Sequence, residues 1–229
     1  MIKKRPQHVP MDQFTVHNNC LQVGGIPITE LVGQAGQTPF YAYDRQLMSE
    51  RVRSLKAILP EGIHLHYAMK SNPMPEVVQH LSTLTDGLDV ASGGELKVAL
   101  ATGIKPKNIS FAGPGKSNAE LKMAAEAGII INMESEGEME RLANIATELG
   151  FQPNVAIRVN PDFELKTSGM KMAGGPKPFG VDAERVPAML KRIGELDLNF
   201  QGFHIFSGSQ NLKPEALIEA QTKTFALAL

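Results

Sequence analysis

The chain has no tryptophan, a single cysteine and almost no net charge. Each absence excludes something. With Cys20 alone, no intramolecular disulfide can form, which suits a reducing compartment. Lys and Arg number 23 against 24 Asp and Glu, a net charge of -1, so there is no electrostatic case for nucleic acid or for an anionic membrane surface. Aromatics make up 6% of the chain, and no basic, aromatic-laced segment stands out. No stretch reaches the roughly 18 apolar residues of a membrane span. Met1 to Arg5 is basic, but no apolar signal-peptide core follows it, and the chain reads as cytoplasmic. What is present is ordinary for a globular protein. The 229 residues, 42% hydrophobic and 21% charged, suit one large α/β domain or a domain and a fraction.

Short β-like runs alternate with helical patterns. Phe40 to Tyr43 reads as a strand, and Asp44 is a good N-cap for a helix running to about Leu59, before Pro60. Strands are expected near residues 63–68, 87–90, 109–111, 129–133, 155–159 and 201–206. Helices are expected over 75–84, 94–100, 117–127, 136–149 and 187–193, with another beginning near Pro214. Ser117 and Glu120 have capping-box spacing. The run Ile129 to Met133 shows almost no polar alternation, as in a parallel strand covered on both faces. Strand–helix units of roughly 20–25 residues imply right-handed βαβ crossovers, hence a parallel barrel or a doubly wound sheet. The barrel is favoured, because chemically capable residues recur at the C-terminal ends of successive strands instead of gathering at one switch point. Two regions break the pattern. Residues 1–39 contain a hairpin signal at Gly24-Gly25. Residues 161–182 form a long loop with Lys166, Lys171 and Lys177 among glycines and prolines.

Lys70 lies where the apolar run Leu65 to Met69 gives way to a loop. Desolvation at such a place lowers an amine's pKa and frees its lone pair for a carbonyl, so a lysine here can hold an aldehyde cofactor as a Schiff base. A solvated lysine at a strand end is the plainer reading. Asp89-Val90-Ala91-Ser92-Gly93-Gly94-Glu95 puts two carboxylates and two glycines at a strand-to-helix turn. They could orient an amine and move protons, or Glu95 could simply favour a helix N-terminus. Arg158 sits inside an apolar strand and needs an acceptor, either a structural ion pair or a ligand. His204 is a structural strand histidine or a flat ring able to stack on a cofactor. Ser207, Gly208 and Ser209 offer hydroxyl and N–H groups suited to a phosphate. His64 and His66 share a strand face, but no neighbouring carboxylate or cysteine completes a metal site.

Tyr67 to Asn72, the Asp89 to Glu95 motif and the His204 segment together resemble the fold-type III pyridoxal-phosphate-dependent decarboxylases, which act on diaminopimelate, ornithine or arginine. The diaminopimelate branch is the most similar, over about residues 20–229. The resemblance implies pyridoxal 5′-phosphate as cofactor and Lys70 as the Schiff-base lysine. It implies that Asp89 and Glu95 are active-site carboxylates, that Arg158 lies by the cofactor, that His204 stacks on its ring, and that Ser207 helps hold its phosphate. It also implies an alanine-racemase-like (β/α)8 TIM barrel over residues 40–229, with residues 1–39 contributing strands to a β-sandwich domain. The expected reaction is release of CO2 from a small amino acid, in a homodimer and without nucleic acid or membrane partners.

The family's glycine-rich phosphate loop, its later glutamate and its sandwich-domain residues find no counterpart in this sequence. The expectation is therefore a barrel short of its last two strands, inactive by itself. An amino-acid racemase on the same barrel, a non-catalytic partner-binding relative, and a single-domain pyridoxal-phosphate homeostasis protein are the other readings. The Asp89 to Glu95 motif speaks against the racemase.

Overall fold

The computed structural model describes residues 11–163, 177–206, 208 and 213–228. The chain divides into two compact units, residues 1–63 and 64–229.

The first unit holds β1 (Val16–His17), β2 (Cys20–Val23) and β3 (Ile26–Pro27), an antiparallel sheet in chain order. Gly24 and Gly25, with φ of 61° and 76°, close the β2–β3 turn. A two-residue hairpin of this kind needs positive φ at both positions, so the expected hairpin forms. It leads into α1 (Ile28–Ala35), a helix the sequence does not announce because Pro27 stands at its N-cap and provides no side-chain bond. The expected helix after Asp44 is α2 (Arg45–Lys56), whose first amides, Gln46 and Leu47, donate to the Asp44 carboxylate at 2.8 and 3.2 Å. The strand expected at Phe40 to Tyr43 does not form. Tyr41 is 91% exposed, and β-propensity without a pairing partner does not make a strand.

The second unit alternates strands and helices. In order these are β4 (His66–Ala68), α3 (Pro75–Ser82), β5 (Gly87–Val90), α4 (Gly93–Ala101), β6 (Ile109–Phe111) and α5 (Asn118–Ala127). They are followed by β7 (Ile130–Met133), α6 (Glu136–Leu149), β8 (Asn154–Asn160), β9 (Val181–Asp182), α7 (Val186–Glu195), β10 (Asn199–Ile205) and α8 (Pro214–Ala228). The pairing is parallel throughout, in the order β4-β5-β6-β7-β8-β10, with β9 beside the end of β8. Strand order follows chain order without reversal, so the sheet has no internal switch point of the doubly wound kind.

Period-two alternation sorts each strand's side chains onto two faces. Leu88, Val90, Ile109, Phe111, Ile131, Met133, Val155 and Ile157 are buried in one core with Leu96, Leu121, Leu142 and Met189 of α4 to α7. Fully burying such a side chain stabilises by about 1.5–3 kcal/mol. The opposite face carries Asp89, Ser110, Asn132, Arg158 and His204. That face is concave. In a flat sheet the outer strands β4 and β10 would lie five steps of about 4.8 Å apart, too far for two side chains to span. Yet the Lys70 amine, just past β4, sits 5.7 Å from the Phe206 ring centroid, just past β10.

Candidate active site

Lys70 lies in a single 3₁₀ turn, Met69–Ser71, that takes the chain out of β4. Met69 fills the buried position, and Lys70 is exposed above Phe206. This corrects the expectation of a desolvated amine: the turn carries it out of the apolar strand.

Asp89, on the neighbouring strand, accepts from Ser110 Oγ at 2.8 Å, and the same oxygen lies 3.0 Å from His66 Nδ1. Burial works to raise its pKa, but the hydrogen bonds of His66 and Ser110 and the charges of His66 and His204 outweigh it, and the carboxyl titrates below its ordinary range. Glu95 is committed to the backbone. Its Oε2 accepts from the Ala91 N–H at 2.6 Å while its own N–H donates to the Ser92 N-cap at 3.2 Å. It therefore fixes the Asp89-to-Ser92 turn.

Arg158 is buried in β8, with Nη1 3.0 Å from Glu134 Oε1 and its guanidinium 4.7 Å from the Phe179 ring and 6.0 Å from that of Phe206. Of the two readings open for it in the sequence, the ion pair is formed. The Glu134 carboxylate also accepts from the Gly113 and Gly180 N–H groups at 2.5 and 3.0 Å. Gly180 has φ 78°, and a Cβ there would lie 2.9 Å from the Arg158 carbonyl oxygen, so the close approach that delivers its N–H requires glycine.

His204, beside Arg158 in register, has a buried Nδ1 with no hydrogen-bond partner. Burial and then the Arg158 charge push its pKa down to about 4, so the ring is neutral near pH 7. Ser207 and Ser209 lie outside the described residues, as do Lys166 and Lys171.

Two further charged residues, which the sequence reading passed over, underlie this site. Lys116 Nζ, in a side chain 1% exposed, donates to Glu138 Oε1 at 2.7 Å, to the Gly113 carbonyl at 2.7 Å and to that of Asn132 at 2.8 Å. Burial pushes the Lys116 amine down and the Glu138 carboxyl up, each against its partner's pull. Because Gly113 donates its N–H to Glu134 and its carbonyl accepts from Lys116, the two buried ion pairs are joined. A signal was available. Ser92, Ser117 and Ser135 each stand three residues before a glutamate at a strand-to-helix turn, and each caps its helix. The concave face can thus offer a primary amine, an ionised carboxylate, a fixed cation and a neutral flat ring with a free nitrogen. That donor set fits an aldehyde-bearing aromatic phosphate: the amine meets the aldehyde, and the uncharged imidazole can lie against a ring.

Residues 45–228 match the family model described as pyridoxal-dependent decarboxylase, pyridoxal binding domain. A diaminopimelate decarboxylase of Aquifex aeolicus is 36% identical over 90% of this chain and 50% of its own length. The L-glutamyl-[BtrI acyl-carrier protein] decarboxylase of Niallia circulans is 33% identical over 83% of this chain and 45% of its own. The structure of M. jannaschii diaminopimelate decarboxylase in co-complex with L-lysine superposes with a TM-score of 0.80 at 30% identity, covering 93% of this chain and 52% of that one. The chain thus spans about half the length of the curated relatives it matches.

Proposed function

Since the chain belongs to the pyridoxal-dependent decarboxylases, matched through their pyridoxal-binding domain over residues 45–228, we propose that it acts in pyridoxal-phosphate-dependent decarboxylation of an amino acid, with diaminopimelate as the favoured substrate. The observation that carries this reading is the concave face. Lys70 stands at its mouth over Phe206, while Asp89, Arg158 and the neutral His204 line it. The curl that brings Lys70 to Phe206 supports the (β/α)8 barrel. The same reading gives residues 40–229 to that barrel and residues 1–39 to a β-sandwich domain, and makes the enzyme a homodimer.

When bound, pyridoxal phosphate supplies the electron sink for the pair left on the α-carbon as CO2 departs. The chain's own residues bind and orient. Lys70 contributes the amine that attaches the cofactor. His204, being uncharged near pH 7, could stack on the cofactor's ring without repelling a protonated pyridine. Arg158 cannot swing away, because Glu134 holds one end of its guanidinium and Phe179 lies against it. Asp89 stays ionised and can hold a proton on a neighbouring amine. Glu95 acts at one remove, by holding the turn that follows Asp89. Ser207 would help bind the phosphate. Diaminopimelate is favoured because relatives of that name match at 36% identity.

The test is borohydride trapping of pyridoxal phosphate on the protein, located by peptide mass spectrometry, in wild type and Lys70→Ala. Label on Lys70, absent from the variant, supports the assignment. Label elsewhere, or equal labelling of the variant, overturns it. A screen for CO2 release from diaminopimelate, lysine, ornithine, arginine and glutamate then tests the substrate.

A further inference from the structure

His66 has no part in the site as assigned, yet it is built into it. Its register partner is Gly87, while Ala68 pairs with Asp89 and Asp89 with Ser110, so His66, Asp89 and Ser110 come from three adjacent strands. One Asp89 oxygen takes both bonds, at 3.0 Å to His66 Nδ1 and 2.8 Å from Ser110 Oγ. With Asp89 ionised, Nδ1 carries the proton and donates. The imidazole occupies the space that a side chain at position 87 would need: a Cβ on Gly87 would run into the ring and lie 2.5 Å from the Asn108 carbonyl oxygen. Glycine there is the condition for the ring to reach Asp89. The His66 and Asp89 side chains are 31% and 43% exposed, so the pair exchanges protons with water. The charges facing His66 are those of Asp89 and of Asp86, in the turn before β5; the titratable groups facing Asp89 are His66 and His204, the latter neutral near pH 7.

Building on the assignment of Asp89 to the cofactor site, we propose that His66 is a positioning residue acting through Asp89. With Ser110 it orients the carboxylate, and by gaining or losing one proton it switches the pair between net neutral and net negative at the foot of the Lys70 turn. The Asp89 hydrogen bond holds the His66 pKa above the ordinary histidine value against burial, so the switch falls above the pH at which a free histidine titrates. Lys70 follows Ala68, the register partner of Asp89, by two residues, so the pair stands at the foot of the turn that carries it. An uncompensated carboxylate there disfavours an anionic phosphate ester nearby. Attachment of pyridoxal phosphate to Lys70 should therefore weaken as pH rises through the His66 transition.

The test has two readouts. In the unliganded chain, histidine ring resonances are titrated by NMR, with His66 assigned from its loss in His66→Asn. His66 should titrate above an ordinary histidine, fall toward the ordinary value in Asp89→Asn, and move further up in Ser110→Ala, where the carboxylate loses its competing donor. Unchanged titration in both variants overturns the coupling. Borohydride trapping at subsaturating pyridoxal phosphate is then followed against pH. The wild type should show an inflection at the His66 pKa, and His66→Asn should lack it. Trapping on Lys70 with the same profile in both proteins overturns the role of His66 alone. No trapping on Lys70 in either overturns the cofactor assignment and the role of His66 with it.

Discussion

Replacing Lys116 by methionine should be among the most damaging single changes to the larger unit, and reversible by a second change. The lysine and its partner Glu138 have side chains only 1% exposed, and one Glu138 oxygen already lacks a hydrogen-bond partner. Methionine fills much the same volume, so little cavity opens. It removes the donor to Glu138 Oε1 and to the carbonyls of Gly113 and Asn132. An uncompensated buried charge of this kind costs about 3–5 kcal/mol. For a chain of this size that is a fall in Tm of roughly 6–20 °C. Urea unfolding followed by far-UV circular dichroism measures the loss. The double variant Lys116→Met, Glu138→Leu should recover most of it, because the stranded charge is gone. There is a pH signature as well. Burial raises the Glu138 pKa even with the lysine present. Without Lys116 the folded protein binds that proton more readily than the unfolded chain, so the variant should gain stability relative to wild type as pH falls toward 5. A single variant within about 1 kcal/mol of wild type, or a double variant no better than the single, would refute the view of Lys116 as the counter-charge of this interior.

Three further outcomes are expected. Ser117→Ala removes the N-cap of α5 and loosens Glu120, which also receives the Gly93 N–H; the cost should be about 1 kcal/mol or slightly more by urea denaturation. Gly87→Ala should cost about 1–3 kcal/mol by overpacking and should displace the His66 ring, returning its NMR titration toward that of a free histidine. His204, with its pKa lowered to about 4, contributes stability that is complete above the unfolded histidine value and is lost as pH falls toward 4. His204→Phe should therefore flatten the acid limb of the stability–pH curve between those two values, and an unchanged limb would count against a buried neutral ring.

Much of the fold was legible in the chain. Asp44, Ser117 and Gly24-Gly25 each act within a few residues, and the structure uses each as the local rules predict. The parallel strands were legible too, because burial on both faces leaves an apolar run such as Ile129 to Met133. The failures were equally physical. Phe40 to Tyr43 has strand composition but pairs with no strand among the described residues, and pairing is not a local property. Lys70 was expected to be desolvated by its apolar strand, but one 3₁₀ turn sets it outside.

The candidate site shows where the boundary lies. Ser92, Ser117 and Ser135, each three residues ahead of a glutamate, fixed three helix starts by themselves, since a serine oxygen meeting an N3 amide needs nothing from the rest of the molecule. The glutamates divide between the two levels. Glu95 turns back to the Ala91 amide and Glu120 to that of Ser117, both locally, whereas packing of the sheet decided that Glu120 also reaches across to Gly93 and that Glu138 is driven inside to meet Lys116. In the same way Glu134 and Arg158, apart in sequence, meet because β7 and β8 are neighbours and their ends face one concave surface. Local hydrogen bonding is written in residue order. The pairing of charges depends on a curvature and a dielectric that exist only once the strands have packed.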